Sequence, residues 1–299
     1  MSMAPSTSKN HLIPFELWYE DFAPGYPTIR ISNAHASATI ALHGAHVIDW
    51  IPRDQEPVIF TSREAVFKEG KAIRGGIPVC WPWFNAHPSD PSMPSHGFAR
   101  NRFWQLIQSR STEDFTEITL QFDTQAIDIW QHDTSLTLTI RVGKSLSLEL
   151  KTTNNGSNPV TIGGALHSYF YISNIQKVAL TGLENTSYLD TVDGVEKLQD
   201  GPIHFKSEVD SVYQQTDQAV LIHDPGFKRT IKVEKSGSHS TVVWNPWNEK
   251  SKSLADLADD EFHDFVCVET ANALADVHIL DPGAEHSLNT TISAIPTSA

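Results

Sequence analysis

A few side chains in this sequence stand where they could do chemistry, and that chemistry is proton transfer beside a bound anion. His167 lies in "ALHSYFY" (165–171), a run that reads as a β-strand. Alternation puts Ala165, His167, Tyr169 and Tyr171 on one face and Leu166, Ser168 and Phe170 on the other. An imidazole in such a run is either a core histidine satisfied by a neighbour or part of a site, because burial strips its hydration. Glu269, in "FVCVET", shares a face with Phe265 and Cys267. A carboxylate there is costly to desolvate, and burial would raise its pKa toward that of a useful general base. The alternative is a strand-end glutamate reaching solvent.

Anion binding is suggested by Arg74-Gly75-Gly76, where glycines without a Cβ let backbone N–H groups and a guanidinium converge on an oxyanion. Arg100, in "HGFAR", closes the same segment. If the chain doubles back, Arg74 and Arg100 could clamp a phosphate; otherwise they face solvent or cap carbonyls. His96 precedes Gly97 in a loop that leaves room for a ligand, and Asp210, in "SEVDSVYQQ", reads as an ordinary loop acid. Trp81-Pro82-Trp83-Phe84 and "VVWNPWN" (242–248) offer platforms for a sugar ring or aromatic anchors for a loop. The histidines, His43, His46, His204 and His223 among them, show no ligand spacing such as HExxH, so no metal is expected. GxSxG, P-loop and GxGxxG motifs are absent.

The elements that must position these groups are strands. "SATIALHGAHVIDWIP" (37–52) reads as strand, glycine turn, strand, and "TEITLQFDT" (116–124), "SLTLTIRV" (135–142) and "SLSLELKTT" (145–153) alternate cleanly. Gly143-Lys144 is a hairpin signal between the last two. Further strands are expected at 158–164, 177–182, 218–224, 229–235, 240–246, 264–270 and 286–294. One or two helical turns are expected within 252–262. Many short strands with turns between them describe an antiparallel sandwich or barrel. The stretch 74–100, with five prolines and three glycines, has no period, and long segments of this kind are often functional.

Residues 1–12, rich in Ser, Thr and Pro, read as a loose tail, followed by one domain over 13–299. A net charge of −14 argues against nucleic acid, and it would also repel a phosphate unless arginines reverse the field locally. The two cysteines, Cys80 and Cys267, read as reduced core thiols. Without a visible secretory signal or an apolar run of membrane-spanning length, a cytoplasmic protein is expected.

Six stretches, in order, resemble the D-hexose-6-phosphate mutarotases, the glucose-6-phosphate 1-epimerases of the aldose 1-epimerase superfamily. They are "AIRGGIPVCWPWF", "HGFARN", "LHSYFYI", "VDSVY", "VVWNPW" and "FVCVET", and the resemblance spans about Gly44 to Asn272. It implies an all-β fold, the large antiparallel supersandwich of galactose mutarotase, with few short helices. It implies exchange of α and β anomers of hexose 6-phosphates, chemistry that requires no cofactor or metal; a monomer is expected. Carried over, the catalytic pair is His167 and Glu269, acid and base; the phosphate arginines are Arg74 and Arg100; the second histidine is His96; and Asp210 bonds sugar hydroxyls. Ser95 stands where some relatives carry a ligand-contacting glutamine, which puts that contact in doubt. Two other readings remain: an epimerase of unphosphorylated aldoses, and a carbohydrate-binding sandwich without catalysis.

Overall fold

The structure, a computed structural model, describes residues 9–297. Its longest hairpin follows the apolar alternation. Thr134–Gly143 and Ser145–Asn154 pair so that Leu138 meets Leu150, Ile140 meets Leu148 and Val142 meets Leu146, all buried. Each such side chain contributes about 1.5–3 kcal/mol on leaving water. These strands sit within an eight-stranded antiparallel sheet that also holds Arg229–Ser236 and Glu285–Pro296.

A second eight-stranded sheet carries the candidate residues. Its central neighbours are Val209–Gln214, Ser240–Asn245, Phe265–Asn272 and Gly164–Leu166, with Val79–Cys80 at one end. The two sheets share one core, in which Val243, Val266, Val268 and Phe170 join Leu138, Leu148 and Ile292. A four-stranded sheet from Leu17–Ala23 to His46–Pro52 enters the same core through Ile29, Ile40 and Trp50. The fold is the all-β sandwich expected.

Several details differ from the expectation. Residues 165–171 are not one strand: Gly164–Leu166 and Tyr169–Tyr171 both pair with Phe265–Asn272, with a break at His167 and Ser168. The break arises because His167 N–H donates to the Pro78 carbonyl and Tyr169 N–H to the Gly76 carbonyl, both 3.0 Å away. Asp210 lies in a strand, Val209–Gln214, rather than a loop; neighbouring Ser211, Val212 and Tyr213 are all buried, so no alternation shows. Near the stretch expected to hold helix, a single turn at Trp247–Ser251 precedes it and a 3-10 turn at Glu261–His263 overlaps its end. Of the expected tail, residues 1–8 lie outside the described residues. Lys9–His11 forms a 3-10 turn whose His11 carbonyl accepts from Ser109 Oγ at 2.6 Å.

The stretch 74–100 is largely irregular and does double back. Phe98 N–H donates to the Trp81 carbonyl at 3.0 Å, and His96 N–H to the Asn85 carbonyl at 2.8 Å. Trp81 pins it to the core, donating to Thr152 Oγ1 and packing edge-on against Phe98 and Trp130. Among the described residues no helix is long and apolar enough to cross a membrane.

Candidate active site

The register of the second sheet decides which side chains meet. Leu166 pairs with Thr270 and Tyr169 with Cys267, so no slip occurs across the break and His167 stands opposite Glu269. The even residues Val266 and Val268 enter the main core, while Phe265 and Cys267 cluster with Tyr169 and Trp244 on the other face. His167 belongs to that second face, its ring stacked on Tyr169 with centroids 4.9 Å apart and Trp244 edge-on. Tyr171, farther along, packs at a tilt against Phe227 instead.

His167 Nε2 lies 3.2 Å from Glu269 Oε1, the two residues being 8% and 1% exposed. Burial raises the Glu269 carboxyl well above the usual carboxylate range, and the charge of Asp210 adds to the rise. Burial likewise holds His167 well below the usual imidazole range, and His96, Arg100 and Arg74 push the same way. Charging either group alone in this site is therefore opposed, and the pair favours holding one proton between two neutral groups. Glu269 Oε2 is buried without a hydrogen-bond partner. Leaving such an acceptor unmet costs about 1–3 kcal/mol, which a ligand hydroxyl would recover.

The two arginines are tethered separately. Arg74 donates from Nε to Asp256 Oδ1 and from Nη1 to Tyr169 Oη, each at 3.1 Å. Burial opposes its charge, but Tyr169 and Asp256 more than offset this and raise its pKa. Arg100 donates from Nη2 to the Ser95 carbonyl at 3.1 Å, and its buried Nε has no partner. Ser95 thus meets Arg100 through its backbone carbonyl. Both charges reach His96, which burial first and then these arginines lower to about 3. The His96 ring lies edge-on to His167 at 5.9 Å and packs on Phe84.

Asp210 pairs across the sheet with Trp244, whose neighbour is Cys267. Its carboxylate is 3.9 Å from Lys250 Nζ, and burial raises its pKa. The fold thus brings His96, Arg74 and Arg100 within electrostatic reach of His167, and Asp210 and Arg100 within reach of Glu269. A cleft of about 690 Å³ near Tyr188, Gln214 and Leu274 has no imidazole or guanidinium in its lining.

Sequence reasoning missed the supports. Lys250 and Asp256 lie in stretches without pattern, and nothing in their spacing marked them. His43 and His46 show no metal-ligand spacing, yet their turn braces both arginine segments. Gly44 sits at φ +78°, where an added Cβ would lie 2.8 Å from the Arg100 carbonyl oxygen. His46, buried and lowered by that burial to about 3, packs under Gly76. Gly76 has φ +67°, and a Cβ would come within 2.1 Å of His46 Nε2 and 2.4 Å of the Val47 carbonyl oxygen. Gly76→Ala is expected to destabilise the fold by more than about 1 kcal/mol, since strain and collision add. A chemical-denaturation midpoint equal to wild type would show the turn to be compliant.

Comparison with known proteins agrees with the fold. The sequence profile of the family described as Aldose 1-epimerase matches residues 27–293. A protein of Cenchrus ciliaris, provisionally named a glucose-6-phosphate 1-epimerase, is 36% identical over 274 residues, covering 87% of this chain and 82% of its own. The crystal structure of YeaD from Salmonella typhimurium, provisionally a mutarotase, superposes with a TM-score of 0.89 at 31% identity, covering 96% of each chain. A galactose mutarotase-like protein from Lactobacillus casei shares the fold, with a TM-score of 0.70 at 15% identity over 89% of this chain and 99% of that one.

Proposed function

This chain belongs to the aldose 1-epimerase family, and we propose that it interconverts the α and β anomers of hexose 6-phosphates, glucose 6-phosphate among them. The observation that carries the reading is the buried His167–Glu269 pair, 3.2 Å apart, with two arginines in electrostatic reach. Ring opening needs a base for the anomeric hydroxyl proton and an acid for the ring oxygen. Shifting the pair's one proton from carboxyl to imidazole creates both at once, without exchange with solvent.

In this reading Glu269 then takes the anomeric proton as the C1 carbonyl forms. His167 gives its proton to the ring oxygen as the C1–O5 bond breaks. The pair is neutral again while the open-chain aldehyde turns about C1–C2, and reclosure on the other face reverses both transfers. His96 and Asp210 hold sugar hydroxyls. Arg74 and Arg100 hold the phosphate against the field of a protein with net charge −14 and orient C1 between the catalytic groups. The name of the Cenchrus ciliaris relative supports the phosphorylated substrate.

The test is NMR exchange spectroscopy on glucose 6-phosphate. The protein is expected to speed anomer exchange above buffer, and a rate equal to buffer ends the proposal. The pH dependence carries a second expectation. A second proton on the pair must charge a histidine lowered by burial, so the acid limb of kcat falls below the ordinary imidazole value of about 6.5. Loss of the last proton must ionise a carboxyl raised by burial, so the alkaline limb lies well above the ordinary value of about 4.3. Saturating substrate is required because the sugar phosphate itself titrates near pH 6, by its second pKa of about 6. A kcat that halves near pH 6.5 would contradict the shared-proton pair.

A further inference from the structure

Cys267 has no part in these proton transfers, yet its thiol lies beside both groups that do. It precedes Glu269 by two positions on the same face of Phe265–Asn272, and it is fully buried. The ligand atoms of His167, Cys267 and Glu269 all lie within 4.8 Å of one another. We propose that these three side chains form a binding site for a thiophilic divalent cation such as Cd²⁺ or Zn²⁺, and that such a cation inhibits the enzyme.

The donor set and its spacing support the site. Tetrahedral zinc binds imidazole nitrogen and carboxylate oxygen at about 2.0–2.2 Å and thiolate at about 2.3 Å, which places nitrogen and oxygen somewhat over 3 Å apart. The His167 Nε2 to Glu269 Oε1 distance of 3.2 Å already has that span. Three protein ligands leave a fourth position for water. A thiolate favours soft or borderline cations over Mg²⁺ and Ca²⁺. One thiolate, one carboxylate and one neutral imidazole balance a dication, so the loaded cluster buries no net charge. Binding releases the thiol proton, and the carboxyl proton where present, to the solvent. Glu269 Oε2, buried and without a partner, supplies a further oxygen at the same place. His167 precedes Cys267 and Glu269 by about a hundred residues, which is why no ligand spacing is visible along the chain.

Occupancy would remove the general acid and the general base together. The inhibition rests on the proposed roles of His167 and Glu269, whereas the binding does not. The test uses the full chain, freed of metal by chelation and titrated with CdCl₂. Ultraviolet thiolate-to-cadmium charge-transfer absorption and thermal unfolding report binding, and anomer exchange is followed in parallel. Wild type is expected to develop the band with one Cd²⁺ per chain, to melt higher and to lose activity, with EDTA reversing all three and MgCl₂ causing none. Cys267→Ala, which leaves Cys80 in place, should lose the band and weaken Cd²⁺ binding by roughly 100-fold, the upper end of the cost of losing even an outer-shell partner. Exchange by this variant without metal should stay near wild type. Cys267→Ser, closer in volume, gives the same reading if the alanine variant fails to fold. Absence of the band in wild type, or Cd²⁺ affinity unchanged in a folded Cys267 variant, overturns the site. If wild type binds Cd²⁺ through Cys267 but never accelerates anomer exchange, the site stands and the inhibition fails together with the proposed function.

Discussion

Glu269→Gln is expected to lower the enzyme-catalysed anomer exchange by about 10²–10⁴-fold, the usual contribution of a positioned base, while the protein becomes no less stable. Glutamine keeps the shape and one carbonyl oxygen but cannot accept the anomeric proton. The stability arm follows from burial. The Glu269 carboxyl is 1% exposed and its pKa is raised, mainly by desolvation. Below the unfolded value of about 4.3 the neutral acid costs nothing extra. As pH rises above it, the unfolded chain releases the proton readily while the fold resists, so stability contributed by the neutral form is progressively lost up to the raised folded value. Glutamine never ionises, so the melting temperature of the variant should gain on wild type as pH rises through that window. NMR exchange gives the first arm, and thermal unfolding at several pH values gives the second. A variant that loses activity only because it unfolds, or one that keeps the wild-type rate, would remove Glu269 from the chemistry.

That combination separates a functional carboxylate from a structural one, and a sequence pattern alone could not. The pattern did place Glu269 with Cys267 and Phe265 on one face, because strand periodicity is local. What it could not supply was the partner. His167 is opposite Glu269 only because Gly164–Leu166 and Tyr169–Tyr171 both pair with Phe265–Asn272 in one register. That pairing is long-range and leaves no local trace. The break at His167 was equally hidden, since it depends on carbonyls of Gly76 and Pro78 taking the strand's N–H groups. Asp210 was misplaced for a related reason: a strand buried on both faces shows no alternation. Leu17–Ala23 escaped notice because its mixed pattern leaves Trp18 and Phe22 partly exposed, 38% and 46%. The fold sets His96, Arg74 and Arg100 around His167 although they are scattered along the chain.

Arg100→Ala is expected to raise KM for glucose 6-phosphate by about 10–100-fold and to change exchange of free glucose far less, only through the field Arg100 exerts on His167 and Glu269. A hydrogen bond to a charged group contributes about 1.5–3 kcal/mol, and every 1.4 kcal/mol is about tenfold. Arg100 is the cleaner probe of the two arginines. Its contact within the protein is to the Ser95 carbonyl, which water can replace, and its buried Nε has no partner to lose. Arg74 is bound into the site more deeply, to Asp256 and to Tyr169, whose ring stacks on His167. Arg74→Ala should therefore lower kcat as well as raise KM, because Tyr169 loses the donor that fixes it beside the imidazole. It also leaves Asp256 as an uncompensated negative charge facing an incoming phosphate. Asp256→Asn separates these effects: it keeps Arg74 in place, removes the competing carboxylate and should lower KM for the phosphorylated sugar alone. Steady-state exchange measured on both sugars, at low and at raised ionic strength, decides the matter. Equal losses on glucose and glucose 6-phosphate in Arg100→Ala would mean that the arginines shape the acid–base pair rather than the phosphate site, and the substrate would then be an unphosphorylated aldose.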